Sequence, residues 1–162
     1  MSNLKLYAKL WEQDNPAFVR VLRALPADQL DYKPHERSSS AGDIAWQIAE
    51  ELRCLCDLID TGEINWVTHP RPSTLDEIVA AYEANAARHR DALATADDAK
   101  WDSPGRMLWE GQEVMKSTIG GLCFSFFLDA IHHRGQLSAY IRPMGGKVPS
   151  IYGPSADDSG GM

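Results

Sequence analysis

Apolar residues recur at helical spacing through most of the chain. Leu4, Tyr7, Leu10 and Trp11, Phe18, Val21 and Leu22, and Leu25 keep a period near 3.6, which predicts a first helix over residues 3 to 25. Asn15 followed by Pro16 falls inside it and reads as an N-cap with proline at the first helical position, so a kink or restart is expected there. The next stretch, to Ser40, reads as loop. Ser40 with Asp43 three residues on resembles a capping box and opens a second helix with Ile44, Ile48, Leu52, Leu55 and Ile59 on its buried stripe. Gly62 supplies the stop.

The proline-rich end of E-I-N-W-V-T-H-P-R-P, residues 63 to 72, reads as a connection, with His69 exposed. Ser73 with Asp76 starts a third helix in the same way, with Leu75, Ile78, Val79, Tyr82, Ala86, His89 and Leu93 on its face. His89 reads as a boundary residue rather than a ligand. Residues 97 to 116 carry turn signals at Ser103-Pro104-Gly105 and Trp109-Glu110-Gly111, and read as a long connection. Loops of that length often cover a site, and Met107, Leu108, Trp109 and Met115 supply an apolar lid.

A fourth helix is expected from Ser117 to Arg142, closed by Pro143 and Gly145-Gly146. Gly120-Gly121 weakens its start, so a close backbone approach to another helix is expected as compensation. Val148, Ile151 and Tyr152 need cover, which predicts a tail packed back on the helices to about Asp158 and disorder over residues 159–162. Four helices without convincing alternating strands predict an all-α four-helix bundle in one domain, residues 1–158.

The fourth helix carries the candidate chemistry. Its core run F-S-F-F-L-D-A-I-H-H-R-G-Q-L-S-A-Y, residues 124 to 140, places Asp129, His132, His133, Arg134 and Gln136 in a stripe otherwise built to be buried. Asp129 and His133 are i and i+4, one turn apart on one face, a spacing that can clamp a metal ion. Gln47 and Glu51 are likewise one turn apart on the second helix, with Glu50 beside them; their simplest reading is a polar boundary facing water or a neighbouring helix. His132 points roughly 100° from His133 and reads as a surface or interface residue, and Arg134 as a salt-bridge donor to an acidic neighbour.

Composition removes several classes. With 162 residues, 44% hydrophobic and 24% charged, the chain suits one soluble core. No apolar run approaches the ~20 residues of a membrane span. The N-terminus lacks a signal peptide's apolar centre, so a cytosolic location is expected. A net charge of -7 without a basic patch argues against nucleic acid. Cys54, Cys56 and Cys123 are odd in number and read as free buried thiols. No G-x-S-x-G, P-loop or dinucleotide fingerprint is present, and Ser125 and Ser138 make no credible Ser-His pair.

His132-His133-Arg134-Gly135-Gln136, then Tyr140-Ile141-Arg142 and G-G-K-V-P-S-I-Y-G-P-S-A-D, resemble the DinB/YfiT-like superfamily over residues 117 to 158. Weaker echoes lie in Leu30-Asp31-Tyr32-Lys33-Pro34 and Ala45-Trp46-Gln47-Ile48-Ala49. The resemblance implies an up-down-down-up four-helix bundle, a homodimer, a stress-linked role and a divalent metal held by three histidines. Carried over, those ligand positions fall on Gln47, Asp129 and His133, of which His133 alone is of the expected type. A Mn, Ni or Zn ion is the implied cofactor, with the oxygen-rich set leaning toward Mn, Mg or Ca over Zn or Ni. Glu50 or Glu51 can complete the set in place of Gln47. Alternatively the metal is lost, and Asp129 and Gln47 satisfy His133 by hydrogen bonds.

Two functions follow. One is a metal-dependent hydrolase or thiol-dependent transferase acting on a small molecule. The other is a non-catalytic small-ligand or interaction protein, with Trp46, Phe126, Tyr140 and the Trp109 segment lining its pocket.

Overall fold

The computed structural model describes residues 1–160. Four long helices, α1 (Asn3–Arg23), α2 (Ala41–Thr61), α3 (Leu75–Thr95) and α5 (Ile119–Ile141), carry the core, joined by the single turn α4 (Asp98–Trp101). α1 packs on α3 and α5, and α2 packs on the same two helices. Among the described residues no helix is long and apolar enough to cross a membrane.

Local chemistry sets the helix ends. Ser40 accepts the Asp43 N–H at 3.1 Å. Gly62, at φ 82°, closes α2 in the left-handed conformation that glycine adopts without strain. The capping box of α3 falls on Thr74 and Glu77, one residue later than Ser73 and Asp76 suggested. α1 continues through Pro16 without restarting, so proline only removes the N–H that would have met the Glu12 carbonyl. α5 begins at Ile119, where the Thr118 hydroxyl accepts the Gly121 N–H at 3.0 Å.

The expectation of an all-α chain is corrected by a small sheet. β1 (Glu63–Trp66) runs parallel to β2 (Pro104–Trp109), which pairs antiparallel with β3 (Gln112–Thr118). Residues 63 to 66, 104 to 109 and 112 to 116 are therefore strand where the sequence suggested connections, and Ser117 and Thr118 end β3 where it suggested the start of the last helix. The turn signal was sound: Glu110 and Gly111, at φ 50° and 76°, form a two-residue hairpin loop of the kind that needs positive φ twice. The strands themselves were hidden. β3 is exposed along its whole length, and the register shift opposite Met107/Leu108 leaves Val114 as an extra residue in it, so it shows no alternation.

The glycine pair also meets a different partner from the one expected. A Cβ on Gly120 would sit 2.2 Å from the Trp101 indole nitrogen, so the close approach is to an aromatic side chain of α4 and not to a helix backbone. The tail packs back through Val148 and Ile151, held by Arg20 on the Ser150 carbonyl at 2.9 Å and Arg142 on Asp157 at 2.9 Å, whereas Tyr152, also expected to need cover, is 76% exposed. Gly160 donates its N–H to Asp158 at 2.9 Å; of the segment expected to be disordered, residues 161 and 162 lie outside the described residues.

Two buried polar groups anchor the core. Arg134 donates to Asp14 at 2.7 Å, as its reading as a salt-bridge donor required, and lies over the Phe18 ring at 4.5 Å. His89 sits deeper than a boundary residue: it is fully buried, with Nε2 3.1 Å from the Tyr7 hydroxyl and Nδ1 unpartnered. Burial pushes its pKa down from 6.5 to about 3, so the ring is neutral in the fold.

Because that pKa is depressed, the stability His89 supports is present above about pH 6.5 and lost as pH falls toward 3, at about 1.4 kcal/mol per pH unit. Urea unfolding at pH 7, 6 and 5 should show wild type losing stability faster than His89→Gln by roughly that slope. Gly120→Ala should destabilise by about 1–3 kcal/mol through displacement of Trp101, read as a lower urea midpoint with altered tryptophan fluorescence.

Candidate metal centre

Fourteen of the 21 residues of α2 are buried, which carries Glu50 and Glu51 into the interior with the apolar stripe. Consecutive helical residues point roughly 100° apart, so the two carboxylates enter different surroundings. Glu50 is held by the Arg53 guanidinium at 3.2 Å and by the His69 ring. Glu51 turns toward α5.

There α2 and α5 present two facing i, i+4 pairs, Gln47 with Glu51 and Asp129 with His133. His133 Nε2 lies 3.4 Å from Asp129 Oδ2 and 3.6 Å from Glu51 Oε1. One donor atom from each of Glu51, Asp129 and His133 falls within 4.8 Å of the others. Gln47 bridges the pair: its amide nitrogen donates to Glu51 Oε1 at 2.9 Å and lies 2.8 Å from His133 Nε2.

The far side of the imidazole fixes its proton. Nδ1 sits 2.8 Å from the Gln136 carbonyl oxygen, which can only accept, so the neutral ring carries its hydrogen on Nδ1 and turns the Nε2 lone pair toward the cluster. Glu51 is 2% exposed and its Oε2 has no hydrogen-bond partner. Burial, reinforced by the nearby Asp129 carboxylate and opposed by the Gln47 amide, pushes the Glu51 pKa up to about 8. Asp129 is half exposed, so the cluster is closed at Glu51 and open at Asp129.

These donors fit a divalent ion. Two carboxylates and a neutral imidazole offer the oxygen-rich set that suits borderline and hard cations. Gln136 would supply the outer contact that orients a ligating histidine, and Glu51 would exchange an incompletely satisfied carboxyl for an ion contact. Gln47 lies at the cluster but turns its N–H groups inward; it would offer its carbonyl to an ion only with the amide end turned over.

The cluster forms the floor of a cavity of about 520 Å³. Its walls are Trp66 from β1, Met107 and Trp109 from β2, Met115 from β3 and Phe126 from α5. The apolar lid thus exists as a sheet. Trp46 and Tyr140, expected in the lining, lie elsewhere: the Trp46 indole donates to the His69 carbonyl at 3.1 Å, and Tyr140 packs edge-on to Tyr32 at 5.8 Å. Trp66 was the wall residue the sequence did not offer, because its segment read as a connection. His132 is exposed, as its position on α5 suggested.

Two solved structures share the fold. A DinB-like protein from Bacillus cereus superposes with a TM-score of 0.74 at 18% identity, covering 90% of this chain and 95% of that one. The DinB-like protein YjoA from Bacillus subtilis gives 0.69 at 18% identity, covering 86% and 92%. In sequence, the uncharacterized protein YrdA of Bacillus subtilis is 25% identical over 156 residues, 94% of this chain and 89% of that protein. The DinB family model matches residues 1–160, so the chain belongs to the DinB family.

Proposed function

We propose that this DinB protein is an up-down-down-up four-helix bundle, acting as a cytosolic homodimer, that holds a divalent metal at Glu51, Asp129 and His133 for hydrolysis of a small molecule. The packing of α1 and α2 each on both α3 and α5 supports the bundle. The observation that carries the metal is the convergence of Glu51, Asp129 and His133, with His133 Nε2 3.6 Å from Glu51 Oε1 and 3.4 Å from Asp129 Oδ2.

A divalent ion there supplies Lewis-acid chemistry, polarising a carbonyl or activating water. Hydrolysis is preferred to thiol transfer because an oxygen-rich set favours ions that bind sulfur poorly. The chain's own residues do the rest. Gln136 keeps the His133 proton on Nδ1, and Asp129 stands at the open side where polar groups enter. The apolar walls receive the carbon skeleton and limit water.

A second reading is favoured by one contact set. Gln47 satisfies Glu51 Oε1 and His133 Nε2 together without an ion, as expected of a protein that has exchanged metal for a hydrogen-bond network and keeps the cavity for a small ligand.

Metal analysis by mass spectrometry on untagged protein should give near-stoichiometric Mn, Ni or Zn, lost in His133→Ala, Asp129→Ala and Glu51→Gln. Metal-free protein whose melting temperature fails to rise by roughly 5 °C at 100-fold excess over any micromolar Kd would instead select the second reading. Gln47→Ala separates the two further. It should cost about 1–3 kcal/mol in metal-free protein by unpairing two buried groups, and added metal should restore the loss only if the ion binds.

A further inference from the structure

The cavity above the cluster has a second chemical character. Trp66, Trp109 and Phe126 present aromatic rings to it, with the Trp66 and Phe126 centroids 6.4 Å apart and tilted by 37°. Met107 and Met115 add polarizable thioethers. The ionisable groups that line it are Glu51 and Asp129, and no lysine or arginine does. An anionic ligand would find no cation here and two carboxyl groups at the floor. A cationic one would find aromatic rings, whose faces attract ammonium groups, together with the Glu51 and Asp129 carboxyl groups.

From this we infer that, in its metal-free form, the cavity binds an organic ammonium of aryl or alkyl amine type. The nitrogen sits between Glu51 and Asp129, and the apolar body lies against Trp66, Phe126 and the two methionines. The inference rests on the second reading above, that the cavity is a small-ligand site. About 520 Å³ is ample for an arylalkylamine and within the usual range of small-molecule pockets. Two features make Glu51 more than one member of an acidic patch: it is 2% exposed, and its Oε2 has no hydrogen-bond partner. An ammonium N–H at the Glu51 and Asp129 carboxyl groups would make a charge-assisted bond, which is stronger than a neutral one. Gln47, which occupies only Oε1, stays where it is.

The charge of the guest decides the matter, so the probes are three molecules with one ring and three charges: benzylammonium, benzyl alcohol and benzoate. Calorimetric titration of chelator-treated protein should give benzylammonium at least tenfold tighter than benzyl alcohol, with benzoate weakest. Asp129→Asn and Glu51→Gln should each abolish the ammonium preference, with folding of both variants checked by circular dichroism and urea unfolding. Phe126→Leu should weaken ammonium and alcohol together. Equal binding of ammonium and alcohol would overturn the charge assignment and leave the ligand-site reading standing. Absence of binding by all three would overturn both.

Discussion

The burial of Glu51 between α2 and α5 is the constraint on which the site depends. A carboxyl group 2% exposed must be neutralised by a proton, an ion or hydrogen bonds, and each choice gives the chain a different chemistry. Burial raises its pKa to about 8, so in the absence of a cation the fold favours the proton. Gln47 offsets part of the desolvation through Oε1 and leaves Oε2 without a partner. The rest of the site is arranged around that buried group: the imidazole Nε2 stands 3.6 Å from Glu51 Oε1, and Asp129 brings a second carboxyl group to the open side.

α2 divides the interior into two polar neighbourhoods. Glu50 and Glu51 are adjacent in sequence, yet Glu50 is absorbed by Arg53 and His69 while Glu51 faces α5. Glu50 is a satisfied structural carboxylate that ties the segment after β1 back to the helix. The Trp46 indole, donating to the His69 carbonyl, reinforces the same attachment. By fixing that segment the two contacts also fix where β1 ends, and so where Trp66 enters the cavity wall.

What the sequence disclosed depends on how each feature is encoded. Helices with a wide apolar stripe, such as α2 with Ile44, Ile48, Leu52, Leu55 and Ile59, were legible because the period repeats over about four turns. So was the Asp129–His133 pair, since its spacing lies within one helix. The sheet was not. β3 has no buried face and carries an extra residue at Val114, and β1 gains its partner only from residues about forty positions away. Glu51 stood among the alternatives, but choosing it over Glu50 requires the rotation of α2 against α5, a tertiary quantity that no local pattern records. The facing of two i, i+4 polar pairs was the signal that could have selected it.

The position of Gln47 shows how the electrostatics of the site have changed relative to the three-histidine set that the family resemblance implies. Three imidazoles form a neutral cage whose charge comes from the ion. With Glu51, Asp129 and His133 the protein supplies two carboxyl groups, and Gln47 contributes N–H donors that stabilise negative charge without cancelling it. Such a site is incomplete until something positive arrives, and the aromatic and thioether walls above it neither supply nor repel a cation. Specificity therefore rests on which positive group fits. A compact divalent ion draws the donor atoms inward. An ammonium carries an apolar body that must also fill the sheet-walled space. The sheet built from segments that read as loops thus governs which of these guests is favoured, because β1, β2 and β3 supply four of the five apolar wall residues.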